Sequence, residues 1–142
     1  MERKRGGRRD RAGAGPDGPR EVAWRVLTRV EKEGAFSGIE LGHALERARL
    51  SREDASLATE IVYGTIQRLN TIDWVLAGRV KGWPDRVKPG VRALLRLSYY
   101  QLRWLSRVPP YAVVNEAVRL AKKHGHPGVA GLVNAVLRGL LR

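Results

Sequence analysis

Residues 91–107, "VRALLRLSYYQLRWLSR", constrain the fold of this chain more than any other stretch. At about 100° per residue, Val91, Leu94, Leu95, Leu102 and Leu105 share one side of a helix, and Leu97 and Trp104 lie on another. A helix that is apolar over so much of its circumference must be surrounded, so this segment predicts a central helix. Its remaining surface is basic. Arg92, Arg96, Arg103 and Arg107 fall within an arc of about 60°, Tyr99 borders it, and Tyr100 lies just beyond.

The flanking segments supply the helices that would surround it. Ala23, Val26, Leu27 and Val30 repeat at helical spacing from about Arg20, and Gly34 is a natural stop. A second helix starts near Ser37, with Ile39, Leu41, Ala44 and Leu45 as its apolar positions. Ser51 followed by Glu53 and Asp54 reads as an N-cap with acidic residues in the first turn. That helix is expected to reach about Leu69, burying Ala58, Ile61, Val62 and Leu69, and a short helix then carries Ile72, Val75 and Leu76. "KGWPDRVKPG" is turn chemistry, after which the central helix runs from about Gly90 or Val91 to Leu105. Pro109 and Pro110 open the next helix, "HGHPG" closes it, and the last begins at about Val129. No run alternates at period two for long enough to make a strand. The expectation is one all-α domain, a bundle of about seven helices.

Charge narrows the function. The 142 residues carry 27 Lys and Arg against 14 Asp and Glu, a net +13. From Glu21 onward 20 basic and 11 acidic residues leave +9, so the excess is not confined to a tail. A balance of this kind implies a polyanionic partner, most simply nucleic acid. No segment has the apolar length to span a bilayer, and the start lacks a signal peptide's apolar core; a cytoplasmic monomer is the expectation. With no cysteine, disulfides, thiolate metal sites and thiol nucleophiles are excluded.

The segment 1–19, "MERKRGGRRDRAGAGPDGP", has five glycines, two prolines and no large apolar residue after Met1. It predicts a disordered basic arm preceding a folded domain at 20–142. Arg3, Lys4, Arg5, Arg8, Arg9 and Arg11, spaced by small residues, suit a segment that follows a phosphate backbone. Arg25 on the first helix is counted with these candidates. On the long helix Arg92, Tyr99, Arg103 and Arg107 join the RNA-binding candidates, since guanidiniums beside aromatic rings supply charge for phosphates and flat faces for bases. The alternative is a solvated face, or arginines paired with neighbouring helices, and Arg96 is assigned that structural role.

Other constellations are weaker. His124 and His126 flank a glycine, but no nearby carboxylate or thiolate completes a zinc sphere, and a basic last turn before glycine is a helix end. There is no glycine-rich strand-to-helix loop and no nucleophile paired with a base, so no catalytic residue, metal or cofactor is assigned. In "VPPYAVVNEAVRLAKKHG", Asn115 and Glu116 lie on opposite borders of an apolar arc, so their side chains diverge and cannot form a dyad. Asn134 borders a similar arc in "LVNAVLRGLL". All three are read as fasteners between helices, with Glu116 paired to an arginine of the long helix.

These segments also carry a resemblance. "VPPYAVVNEAVRLAKKHG", "LVNAVLRGLLR", "EIVYGTIQRLNTIDWVL" and "VRALLRLSYYQL", in their order and spacing over about Arg20 to Arg142, resemble the NusB-like domain. The resemblance implies two packed three-helix units plus an extra helix. It is nearest to the N-terminal RNA-binding domain of RsmB/Sun/Fmu-type 16S rRNA cytosine-C5 methyltransferases, which use S-adenosylmethionine in a following catalytic domain with reactive cysteines. The other setting is the stand-alone NusB antitermination factor, which binds leader RNA together with a ribosomal protein through an arginine-rich start to its first helix; Arg20 is the matching position. The expectation is an excised methyltransferase domain binding rRNA, with a free-standing NusB-like protein as the alternative.

Overall fold

A computed structural model describes residues 17–34, 38–125 and 127–141. The basic residues Arg3 to Arg11 of the expected arm, and His126, lie outside them. The described residues form seven α-helices and no strand: α1 (Pro19–Glu33), α2 (Gly38–Ala48), α3 (Arg52–Gln67), α4 (Leu69–Ala77), α5 (Pro89–Trp104), α6 (Pro110–His124) and α7 (Pro127–Leu140).

Local chemistry sets most of the ends. Pro19, Pro89 and Pro110 each sit in the first turn of a helix, where the missing N–H costs nothing. The Ser51 hydroxyl accepts from the Asp54 N–H at 3.1 Å and caps α3. Gly34 closes α1 in the left-handed region at φ 74°, its N–H bonded to the Val30 carbonyl.

α5 packs against α1, α3, α4, α6 and α7, which makes it the centre. Ala93, Leu94, Leu95, Leu97, Ser98, Tyr100 and Gln101 are buried around it, and α1 and α3 cover one side while α6 and α7 cover another, with α2 packed on α1. Each fully buried leucine contributes about 1.5–3 kcal/mol of transfer free energy. The extra helix, α4, crosses between the two units.

Three expectations need correction. α3 ends at Gln67, not Leu69. Arg68 takes φ −102° and ψ 15° and turns the chain, so that Leu69 opens α4 only half-buried while Ile72 and Leu76 enter the core. Both flanks favour helix, so the break is imposed by packing against α5. The central helix ends at Trp104; Leu105 leaves helical geometry at ψ 77° to bury its side chain. Arg107 is therefore off the helix. The first helix takes in Pro19, and Asp17 accepts from Arg25 Nε at 2.7 Å, so Asp17 and Pro19, within the expected arm, are tied to α1.

Close approach of α3 and α5 depends on Gly64. A Cβ there would fall against Cζ and the hydroxyl of Tyr100, well inside van der Waals contact. Gly42, by contrast, is exposed in α2 with nothing within 4 Å of its would-be Cβ. Gly64→Ala should destabilise by about 3 kcal/mol or more as the ring is displaced. Gly42→Ala should stabilise by about 0.5–1 kcal/mol through reduced unfolded-state entropy. Urea denaturation of both variants measures the opposite signs.

Candidate nucleic-acid interface

The arginine arc of the long helix divides into two environments. Its N-terminal half is enclosed by α1, α4 and the turn before α5. Arg92 Nε donates to Glu31 at 3.2 Å, and its Nη1 donates to the carbonyls of Pro84 and Val87. Arg96 donates to both Asp73 carboxylate oxygens, at 2.8 and 2.9 Å, and also to Glu31, with its guanidinium 5.3 Å from the Trp83 ring centroid. Burial lowers the Arg96 pKa, but its hydrogen bonds to Asp73 and Glu31 outweigh this and raise it, while burial of Glu31 is outweighed by its arginine partners and its pKa falls. Arg96 thus links three segments, the structural role expected of it. Arg92, bonded to one carboxylate and two carbonyls, is corrected from an RNA-binding candidate to a brace. The helical wheel places both arginines properly but carries no information on which acidic residues α1 and α4 bring to meet them.

The C-terminal half is open. Trp104 stacks on buried Tyr100, with centroids 5.6 Å apart and planes at 26°, and meets Tyr99 edge-on at 6.0 Å. The guanidiniums of Arg68 and Arg103 lie 5.0 and 5.2 Å from the Trp104 centroid. Both arginines are exposed, and among the described residues neither has a carboxylate partner. Arg107 is exposed but ion-paired with Glu60. Two unneutralised guanidiniums on an indole, itself supported by a second ring, offer charge and a flat face together. Arg68 and Trp104 are not candidates from sequence. Arg68 sits at a helix break that periodicity does not register, and Trp104 reads as a core position.

The start of α1 forms a second basic region, held by a buried acid. Glu21 is 1% exposed, accepts from Lys123 Nζ at 3.1 Å and from His124 Nε2 at 2.6 Å, and pairs with Arg25 at 3.3 Å and Arg119 at 3.5 Å. Burial pushes its carboxyl up, but the His124 and Lys123 hydrogen bonds outweigh this and hold it below the ordinary carboxylate value. Trp24 packs at a tilt on His124, with ring centroids 4.5 Å apart, and donates to the Gly90 carbonyl at 2.7 Å, so α1 also clamps the end of α6 and the start of α5. Arg20 donates to buried Gln101 at 2.6 Å, and burial lowers its pKa against the pull of Glu116 and Asp54. Arg25 is shared between Asp17 and Glu21. Glu21 lies about 180° around α1 from Val30, on what a wheel makes the solvent side, so periodicity gives no sign of its burial.

The proposed fasteners differ from expectation. Asn115 is exposed and, among the described residues, has no hydrogen-bond partner; its border of the arc faces solvent. Glu116 accepts from Arg119 of its own helix at 3.1 and 2.7 Å, because a residue one turn away reaches it before α5 does. Asn134 likewise accepts from Arg138, four residues on in α7, at 2.9 Å. No cluster of His, Cys, Asp and Glu able to hold a metal occurs among the described residues, and no described helix is long and apolar enough to cross a membrane.

A central helix packed by five of the other six, with arginines spent as braces at one end and free at the other, defines a small all-α basic domain. The NusB family model matches residues 17–142, and the chain belongs to the NusB family. A probable ribosomal RNA small subunit methyltransferase B from Bacillus subtilis (strain 168) is 40% identical over 123 residues, covering 87% of this chain and 27% of its own length. The transcription antitermination protein NusB of Exiguobacterium sp. is 32% identical over 124 residues, covering 87% of this chain and 94% of its own. A chain from the crystal structure of a plectonemic RNA supercoil superposes with a TM-score of 0.80 at 26% identity, covering 87% of this chain and 91% of that one. The chain thus spans about a quarter of the methyltransferase and nearly all of the antitermination factor.

Glu21→Gln should cost about 3 kcal/mol, near the low end for breaking a buried ion pair because the cations regain water. Since the folded carboxyl titrates below its unfolded value near 4.5, its contribution is complete above that pH and is lost as pH falls through the folded value. The stability gap between wild type and Glu21→Gln, followed by denaturant unfolding from neutral pH downward, should therefore close in acid.

Proposed function

We propose that this chain is an RNA-binding domain that positions ribosomal RNA for an S-adenosylmethionine-dependent cytosine-C5 methyltransferase, to which it contributes binding and not chemistry. The observation that carries the RNA reading is the pair of unneutralised guanidiniums on Trp104. Arg68 and Arg103 would meet phosphates, and the open part of the half-buried indole beside them would take a base. Arg20, bonded to Gln101 in the same half of α5, and the arm before it would extend the contact at the start of α1. The methyltransferase setting is supported by the relative from Bacillus subtilis, which matches over the same all-helical region.

The chemistry of that reaction fits poorly in this chain. It has no cysteine to attack and release a pyrimidine, and among the described residues no strand-to-helix crevice of the kind that cradles a nucleoside cofactor. In this reading S-adenosylmethionine belongs to a separate catalytic domain. A second reading, a stand-alone antitermination factor acting with a ribosomal protein, is favoured by the near-complete coverage of the NusB relative. The protein is a cytoplasmic monomer in either reading.

Binding to a short single-stranded RNA, followed by fluorescence anisotropy across a salt series, tests the proposal. Arg68→Ala and Arg103→Ala should each weaken affinity and shallow the log–log salt slope by about 0.7 for every phosphate left without its cation. Arg107→Ala should change little, because Glu60 already neutralises that cation. Calorimetric titration with S-adenosylmethionine should show no micromolar binding, and such binding would overturn the assignment of the cofactor elsewhere. Tight capture of the ribosomal protein, with preference for leader RNA over structured rRNA fragments, would select the second reading.

A further inference from the structure

Trp74 is 80% exposed, the most open of the large hydrophobic side chains among the described residues. Its position follows from helix geometry. Ile72 and Leu76, both fully buried, lie two residues to either side, so Trp74 points about 160° away from each of them and directly off the core. Trp24, Trp83 and Trp104 each have a ring, cation or hydrogen-bond partner; among the described residues Trp74 has none. Leaving an indole in water forgoes its burial free energy and adds nothing to folding.

The charge around it indicates what it is held out for. From Gln67 to Gly82 the exposed side chains include Arg68, Arg79 and Lys81 and no acidic residue. Asp73, the single carboxylate of that stretch, is turned inward to Arg96 and Trp83. The outer face of α4 is thus an isolated indole with polar Asn70 and Thr71 beside it, and the cations Arg68, Arg79 and Lys81 stand just before and after the helix. A polyanion with flat apolar faces complements it, whereas a protein surface would have to be both acidic and apolar at one point. Along α4, Trp74 stands about 9 Å beyond Arg68, the cation already placed on Trp104.

We propose that Trp74 is a second base-stacking platform, and that single-stranded RNA leaving the Trp104 end of the bundle runs over the outer face of α4 with one base on this indole. The proposal rests on the RNA-binding reading above and adds a site to it. Stacking is sequence-tolerant and needs an unpaired base, so the site would favour single strands over duplex.

The test uses the full chain and a short mixed-sequence RNA carrying one 2-aminopurine, scanned through successive positions. Trp74→Ala should weaken single-strand binding about tenfold without changing the salt slope, since a ring and not a charge is removed. Trp74→Phe should recover most of the affinity. In wild type, 2-aminopurine fluorescence should be quenched at two registers, one for each indole, and Trp74→Ala should relieve the quenching at one of them while leaving the other. Thermal stability should stay unchanged, as expected for so exposed a residue. If wild type binds RNA and Trp74→Ala binds it equally well with the same quenching pattern, the platform is refuted and the face is free for a protein partner. If wild type binds no RNA, the RNA-binding reading itself fails.

Discussion

The geometry of this bundle depends on one guanidinium. Arg96 takes carboxylates from α1 and α4 at once and lies over Trp83 of the intervening turn. A charge so enclosed is tolerated only when its donors are matched, and here most are. Apolar packing alone would let α4 slide or rotate on α5, because hydrophobic contact has no direction. The directed Arg96 pairs set the register of α4, and with it the placing of Arg68 at one end.

Electrostatics then separates structure from function along a single helix. Positive charge near the start of α5 is consumed internally, and Glu21 performs the same service where α1 meets α6. At the far end of α5 cations stand without acids while aromatic rings gather beneath them. A net charge is a whole-molecule number and cannot say where attraction is directed. The allocation of carboxylates does, because each one removes a cation from those a phosphate can find.

How much of this is legible in the sequence depends on range. Ser51, Gly34 and the paired Pro109–Pro110 act on their own neighbours, and the helix ends they mark are readable from residue type. The crowded surface of the 91–107 segment is enough to make it central. What cannot be read is set by contacts far apart in the chain. The break at Arg68 answers to α5, and Glu21 is buried by a helix about a hundred residues away. Arg92 and Arg103 occupy equivalent positions on a wheel, yet one is a brace and the other open. Asn115 shows the converse: a border position promises a neighbour that the fold does not supply. The resemblance carries fold and family but cannot assign these individual roles.

The contact between Gly64 and Tyr100 couples α3 and α5 by shape alone, beside the charged contacts that Arg68 and Glu60 make toward the end of α5. Because the ring fills the space a methyl group would need, side-chain size is shared between the two positions and neither can drift alone. A lineage that enlarges residue 64 must first shrink residue 100. Shrinking residue 100 removes the ring on which Trp104 rests. An inconspicuous glycine of α3 is thereby tied to the surface that α5 presents, and the two positions should covary among relatives that keep an aromatic at 104.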